Sequence, residues 1–126
     1  MARGRGSDRQ QLGWSHESLA LEFLRREGLA LLARNYHCRH GEIDLVMREH
    51  DVLVSVEVRF RSRRTHGGAA LSIDHGKQRR WMQATEHFLA VRPEFASLCV
   101  RFDVVAVDAA DGDRRVSWLR DAVRPL

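Results

Sequence analysis

This 126-residue sequence has no long apolar run. The longest apolar stretches, such as Leu29 to Ala33, are far shorter than the roughly 20 residues that cross a bilayer. This excludes a membrane-spanning helix. The basic beginning of the chain leads into Gln10 and Gln11 rather than into an apolar segment, so we predict no signal peptide and expect a cytoplasmic protein.

Cysteine is also scarce, since only Cys38 and Cys99 are present. Their spacing forms no motif, which excludes a disulfide framework and favours free, reduced thiols. The run from His37 to His40 contains two histidines and one cysteine, but no second ligand pair follows at the spacing of a zinc site. Zinc binding there is kept as a minor alternative.

Lysine is nearly absent, because all of the 21 basic residues except Lys77 are arginine. The 17 acidic residues leave a net charge of +4 and an isoelectric point near 10.0, which mildly favours a polyanionic partner. Four arginines fall between Arg59 and Arg64, and a guanidinium grips phosphate through two parallel hydrogen bonds. A genome rich in G and C explains an arginine excess equally well.

The overall composition, with 44% hydrophobic and 30% charged residues, is that of an ordinary globular protein. We assign residues 1–12 to a disordered basic arm and residues 13–126 to a single domain. Hydrophobic periodicity, with Gly28 and Pro93 as end signals, predicts the elements. These are a helix at Ser15–Glu27, strands at Leu29–Tyr36, Glu42–Glu49 and Val52–Phe60, a loop at Arg61–Gly68, a helix at Ile73–Val91, a strand at Val100–Asp108 and a short strand at Val116–Leu119.

The connections between these elements predict the topology. Short links make the first three strands an antiparallel meander, and the second helix is a crossover that brings the fourth strand back parallel. The expected fold is therefore an α/β domain with a mixed β-sheet flanked by helices in αβββαβ order.

The second and third strands predict a hairpin that turns at His50 and Asp51. One of its faces is wholly apolar, and a slip of one residue would scramble that face, so the pattern itself supports this register. The predicted pairs are Ile43–Val58, Leu45–Val56 and Met47–Val54 on the apolar face, and Glu42–Arg59, Asp44–Glu57 and Val46–Ser55 on the other.

This register places two carboxylates, those of Asp44 and Glu57, opposite each other with Cβ atoms about 4.5–5.5 Å apart. Like charges so placed repel each other, and a divalent cation between them removes the penalty. Mg²⁺ suits one or two carboxylates together with water and phosphate oxygens. The alternative is that Glu42 and Arg59 neutralise the patch and that all four side chains are solvated surface.

Two helical residues favour the metal interpretation. Lys77 interrupts an apolar row at steps of three and four, so it should point toward the sheet, although a lysine that extends to solvent at a helix end is the alternative. Glu17 lies about 60° from the centre of the first helix's stripe and either faces the same site or sits beside it. The full row on the second helix is Ile73, Lys77, Trp81, Ala84, Phe88 and Val91.

Several short motifs together resemble a known family. They resemble the YraN family of small bacterial proteins, which is placed by fold in the PD-(D/E)XK nuclease superfamily alongside archaeal Holliday-junction resolvases. The likeness runs from about Gly13 to Asp108. Its pieces are His16-Glu17-Ser18-Leu19-Ala20, Arg34-Asn35-Tyr36, Gly41-Glu42-Ile43-Asp44-Leu45, Val56-Glu57-Val58-Arg59, Lys77 and Arg101-Phe102-Asp103.

The resemblance implies a restriction-endonuclease-like core in which Asp44 and Glu57 match the metal-binding acids and Glu17 matches the acid of the first helix. The third signature residue of the superfamily is normally lysine, whereas Arg59 stands here. Arginine stays protonated and stabilises developing charge but does not deprotonate water. We hypothesise that Lys77 reaches in from the second helix to replace the missing amine.

We therefore predict a nucleic-acid-binding protein, with DNA as the expected partner, and a phosphodiester-cleaving site that depends on Mg²⁺ or Mn²⁺. Asp44, Glu57 and the Val58 carbonyl would hold the metal, and Glu17, Arg59 and Lys77 complete the catalytic set. The phosphate-gripping residues would be Arg3, Arg5, Arg61, Arg63 and Arg64, with a solvated flexible loop as the alternative.

Two other classes of function stay open. A non-catalytic nucleic-acid-binding or adaptor module could keep the fold after the chemistry decayed, and Arg59 is the residue that favours it. A protein-interaction domain could use Trp14, Trp81 or Trp118, although such aromatics are more often core residues. The resolvase-like resemblance also implies a homodimer as one arrangement.

Overall fold

The computed structural model of the protein describes residues 7–61, 73–108 and 115–123, except for the side chains of 7–15, 61 and 115. The predicted order of helices and strands is confirmed. The elements are α1 at Ser7–Arg26, β1 at Ala30–Cys38, β2 at Gly41–Glu49, β3 at Val52–Arg61, α2 at His75–Val91, a 3-10 turn at Pro93–Phe95, β4 at Cys99–Asp108 and β5 at Arg115–Val123.

All five strands form one mixed sheet in the order β1-β2-β3-β4-β5. The first three are antiparallel neighbours, as the short links between them require. β4 returns parallel to β3 after the crossover through α2, and β5 pairs antiparallel with β4. The predicted α/β class, with a mixed sheet flanked by helices, is confirmed.

The first helix is longer than the sequence periodicity predicted, since it begins at Ser7 rather than near Ser15. The segment before Gly13 is rich in Arg and Gln, which are good helix formers, and contains no proline, so nothing in it stops the helix. Residues 1–6 lie outside the described part of the chain. Gly28 adopts a φ of 97° just past the helix, as its predicted role as a terminator requires. Neither helix in the described ranges is long and apolar enough to cross a membrane.

The sheet has a hydrophobic cluster on each of its faces. The cluster under α1 contains Leu24 of the helix, and the cluster under α2 contains Trp81 and Phe88. The buried strand residues under α1 are Leu45, Met47, Val54, Val56, Val105 and Val107, and those under α2 are Ile43, Val46, Leu53, Phe102, Val104 and Val123.

The predicted apolar face of the hairpin is wrong at one position. Leu45 packs under α1, but Ile43 packs under α2, although two residues apart on a regular strand share a face. The cause lies in the neighbouring strand, where Asn35 has a φ of 54° between the partners of Leu45 and Ile43. This left-handed residue turns the strand pair between those two positions, at the level of Asp44.

The predicted core row of α2 holds except at its end. Trp81, Ala84 and Phe88 are buried, whereas Val91 is 52% exposed. The ring of Phe95, in the 3-10 turn, stacks on Phe88 with centroids 6.1 Å apart. The chain after the helix therefore closes the core where Val91 was expected to do so.

Candidate active site

The strands β2 and β3 separate at the position of the predicted carboxylate pair. Their ladder follows the predicted register from Glu49–Val52 to Leu45–Val56 and ends there. The pairs predicted beyond it, Asp44–Glu57, Ile43–Val58 and Glu42–Arg59, are therefore wrong as ladder pairs. Asp44 Oδ2 instead accepts a hydrogen bond of 2.8 Å from the Val58 N–H, which a carbonyl of β2 would satisfy in a continued ladder. A side chain thus replaces the main chain where the strands open.

The Asp44 carboxyl has a strongly perturbed acidity. Its pKa is raised from 3.8 to about 7, first by burial and then by the charge of Glu57. The hydrogen bond from the Val58 N–H lowers the pKa, while Glu17 and Glu42 raise it further. The charge of Glu57 therefore acts on the Asp44 carboxyl, as the hairpin argument required.

Glu57 is buried, with 6% of its surface exposed, and faces two cations. Lys77 Nζ lies 2.9 Å from Glu57 Oε2, and Arg59 Nη1 lies 3.9 Å from the same oxygen. The approach of Lys77 agrees with its place in the apolar row of α2. Its position is fixed at the helix start, where Asp74 caps the helix by accepting a 2.8 Å bond from the Lys77 N–H. This bond is also the first cause of the lowered pKa of Asp74.

Glu17 approaches the site from the opposite face of the sheet. It is half-buried on α1 and pairs with Arg34 Nε of β1 at 3.4 Å. Arg34 also donates a 3.0 Å bond to Ser18 Oγ, which holds the ion pair against the helix. Because the charge of Glu17 raises the pKa of Asp44, the two carboxylates share one electrostatic environment.

Of the five side chains predicted to be catalytic, Lys77 and Arg59 lie against Glu57. The charges of Glu57 and Glu17 act on the Asp44 carboxyl. Of the predicted metal ligands, Val58 contributes its N–H to Asp44. The predicted phosphate-gripping residues Arg3, Arg5, Arg63 and Arg64 lie outside the described residues, and so does the side chain of Arg61. Across the described ranges, no group of three or more His, Cys, Asp or Glu side chains has the arrangement of a metal site.

A cleft beside Lys77 was not predicted. It has a volume of about 180 Å³ and is lined by Gly41, Glu42, Lys77, Arg80 and Trp81; we call it the α2 cleft. Arg80 lies one helical turn after Lys77, and this spacing was the available signal in the sequence. Trp81 is buried and donates a 2.8 Å hydrogen bond from Nε1 to Ser55 Oγ, so it is a fixed wall rather than an exposed anchor for a protein partner.

A second unpredicted contact joins β1 to α2. The hydroxyl of Tyr36 is hydrogen-bonded to His87 Nδ1, and the ring of His40 lies 6.1 Å from that of His87. His40 belongs to the segment His37–His40, which was considered as a minor zinc alternative, and His87 lies on α2. Both Cys38 and Cys99 are free thiols, as predicted.

The motif residues Arg101 and Asp103 form an internal network on the sheet. Asp103 is fully buried and accepts two 2.9 Å bonds from the guanidinium of Arg101. It also accepts from Trp118 Nε1 and from the Asp121 N–H, each at 2.9 Å. Arg101 in turn pairs with Glu49 at 3.0 Å. The network ties β4 to β2 and β5, so it supports the sheet.

Comparison with known proteins agrees with this description. The model of the uncharacterised protein family UPF0102 matches residues 16–107, which include Glu17, Asp44, Glu57 and Lys77. The chain belongs to the UPF0102 family. The resemblance to the YraN family is confirmed, because the YraN and UPF0102 families are the same.

The UPF0102 relatives cover nearly the whole chain. A UPF0102 protein of Herminiimonas arsenicoxydans is 46% identical over 91% of this chain and 88% of its own length. One from Legionella pneumophila is 42% identical over 90% of this chain and 94% of its own. One from Pseudomonas fluorescens is 46% identical over 90% of this chain and 93% of its own length.

Proposed function

We propose that this UPF0102 protein binds nucleic acid and cleaves phosphodiester bonds with the help of Mg²⁺ or Mn²⁺. One observation carries the proposal: two carboxylates, Asp44 and Glu57, are held together at the open end of a strand pair, and the pKa of Asp44 is raised to about 7. Acids forced together in this way are costly to the fold and are typical of functional sites. Membership of the PD-(D/E)XK superfamily is part of the proposal.

The donor set of the site suits a hard divalent cation. Mg²⁺ takes one or two carboxylates from the protein and keeps several waters. Glu57 and Asp44 supply those carboxylates, and among the described residues only the Val58 N–H bonds to Asp44. The charge of the ion would also relieve the repulsion that raises the pKa of Asp44. We expect Asp44, Glu57 and the Val58 carbonyl to hold it.

When bound, such an ion polarises a phosphate and lowers the pKa of a coordinated water. The rest of the chemistry belongs to side chains of this chain. Lys77 has three N–H donors and uses one on Glu57, so two remain to bind a phosphoryl oxygen or to orient the attacking water. The guanidinium of Arg59 would stabilise the developing negative charge. Glu17, which is paired with Arg34, would supply a further carboxylate for a water or a second ion.

The partner in this proposal is DNA, gripped through its backbone rather than read by sequence. The basic balance of the chain supports this, with a net charge of +4. Arg3, Arg5, Arg61, Arg63 and Arg64 remain the predicted grip. Two free thiols fit a reducing compartment, and we propose that the protein acts in the cytoplasm.

A cleavage assay tests the proposal. Purified protein is incubated with branched, flap and single-stranded DNA in Mg²⁺, in Mn²⁺ and in EDTA. We expect metal-dependent cleavage that is lost in Asp44→Asn and Glu57→Gln and is kept in Asp51→Asn, which removes an exposed acid at the turn of the same hairpin. Cleavage that survives both site substitutions would come from a contaminating nuclease and would refute the assignment.

One observation favours a second candidate, a nucleic-acid-binding module without catalysis. Glu57 is already paired with Lys77 and lies near Arg59, so its charge is balanced without a metal ion. In that case the wild-type protein binds DNA equally well in EDTA and in Mg²⁺, and no substrate in the panel is cut. The two candidates therefore give opposite results in the same assay.

A further inference from the structure

The α2 cleft, lined by Gly41, Glu42, Lys77, Arg80 and Trp81, is connected to Glu57 of the candidate active site through Lys77. Lys77 belongs to both places, because its Nζ binds Glu57 and its side chain lines the cleft. At about 180 Å³, the cleft has room for the equivalent of about six water molecules. It is smaller than the roughly 300 Å³ or more of sites for drug-sized ligands, so it suits a small polar group.

The walls of the cleft are fixed by packing. A Cβ on Gly41 would lie 3.4 Å from both Cβ and the carbonyl oxygen of Arg80, so the turn between β1 and β2 presses closely against α2. Gly41 also has a φ of 153°, which a residue with a side chain rarely adopts. The indole of Trp81 is held by Ser55 and packs edge-to-face on Phe102. The cleft is therefore preformed.

Two of the groups that line the cleft, Lys77 and Arg80, are cations that can bind an anion. Arg80 is exposed on the cleft wall, and its charge helps to lower the pKa of Asp74, the N-cap residue of α2. A Cβ on Gly76 would lie 3.4 Å from Arg80 Nη1, which places the guanidinium against the first turn of α2, near Lys77. Asp74 in that turn already accepts from the Lys77 N–H. Among the described residues, Glu42 on the cleft wall and Asp74 beside Arg80 are the carboxylates that oppose an anion.

We propose that the α2 cleft is a subsite for a phosphate group of the nucleic-acid backbone, adjacent to the phosphate that lies at Asp44 and Glu57. Arg80 supplies the bidentate contact, and Lys77 bridges the two positions. The inference rests on the proposed function for its source of phosphate. The contact carries no sequence information, so it positions the strand rather than specifying a base. It also adds a phosphate contact that the predicted arginine set did not include.

Binding to fluorescein-labelled DNA in EDTA tests the subsite without any need for cleavage. Single-stranded and duplex probes are titrated between 50 and 200 mM salt with wild type, Arg80→Gln, Arg79→Gln and Glu42→Gln. Arg79 is the matched control, since it is an exposed arginine next to Arg80 that does not line the cleft. Loss of one phosphate contact lowers the slope of log K against log salt by about 0.7–0.9. We expect that change in Arg80→Gln only, and tighter binding in Glu42→Gln.

A second readout separates backbone phosphate from the free ion. Inorganic phosphate is titrated into ¹⁵N-labelled protein while the Trp81 indole and Gly41 amide signals are followed. Shifts in wild type and Arg79→Gln that are absent in Arg80→Gln support an anion subsite and assign it to Arg80. If wild type binds DNA but Arg80→Gln keeps the full salt slope, the subsite is refuted and the proposed function stands.

Two further outcomes also decide the question. Equal slope changes in Arg79→Gln and Arg80→Gln refute the subsite, because they indicate only a general loss of positive charge. If wild type binds no DNA, the nucleic-acid source fails together with the proposed function, and the phosphate titration alone then shows whether the cleft holds an anion. Weaker binding in Glu42→Gln would indicate a base rather than a phosphate and would overturn the assignment.

Discussion

Replacing Asp44 with asparagine is expected to stabilise the metal-free protein above neutral pH. The pKa of Asp44 is raised from 3.8 to about 7, chiefly by burial and by Glu57. Each pKa unit corresponds to about 1.4 kcal/mol, so ionised Asp44 reduces the free energy of unfolding by up to about 4 kcal/mol. Because the two acids titrate together and the site relaxes, we expect to observe about half of this, roughly 2 kcal/mol.

The direction of the pH effect follows from the raised pKa. The folded protein holds the Asp44 proton more tightly than the unfolded chain does. The stability from this group is therefore fully present below pH 3.8 and is lost as the pH rises through about 7. Asparagine does not ionise, yet its side-chain oxygen can still accept the hydrogen bond from the Val58 N–H. The substitution thus removes the charge and keeps the contact that closes the open strands.

Urea unfolding in EDTA, followed by tryptophan fluorescence at pH 8.5 and pH 4.5, measures this effect. At pH 8.5 we expect Asp44→Asn to be about 2 kcal/mol more stable than wild type, with Tm higher by about 6–10 °C. At pH 4.5 the gain should fall to about a quarter. Asp51→Asn should change neither value. A variant that is no more stable than wild type at pH 8.5, or equally stabilised at both pH values, would refute the account of the carboxylate pair.

Two further substitutions probe the site and its support. Lys77→Met keeps the length of the side chain but removes the amine 2.9 Å from Glu57, so cleavage in a single-turnover assay should fall at least about 100-fold. Its Tm should fall as well, because buried Glu57 would keep only the more distant Arg59, at 3.9 Å, as a cationic partner among the described residues. Full cleavage by the folded variant would exclude a role for Lys77. Asp103→Asn should lower the free energy of unfolding by about 2–4 kcal/mol, since it removes the buried charge that pairs with Arg101. Urea titration checks this, and a loss below about 1 kcal/mol would contradict the network.

The parts of the fold that the sequence predicts are those governed by local pattern. The alternation of Leu45, Met47, Val54 and Val56 fixed the register of the hairpin, because any slip would expose apolar side chains to water. The parallel return of β4 followed from the crossover rule. The inward direction of Lys77 followed from its place in an apolar row.

The parts that were not predicted depend on contacts between distant elements. Ile43 changes face because Asn35, on another strand, adopts a left-handed conformation, and nothing in β2 itself signals this. The position of Arg80 in a cleft depends on how closely the turn at Gly41 approaches α2. The bond between Tyr36 and His87 likewise joins two elements whose packing no local periodicity reports.

The central claim is that Asp44 and Glu57 together hold a divalent cation. Isothermal titration of Mn²⁺ into the metal-free protein at pH 8 tests it most directly. We predict one ion bound by wild type, binding that weakens as the pH falls through about 7 and Asp44 becomes protonated, and no binding by Asp44→Asn or Glu57→Gln. No binding by wild type, or equal affinity in wild type and both variants, would contradict the claim.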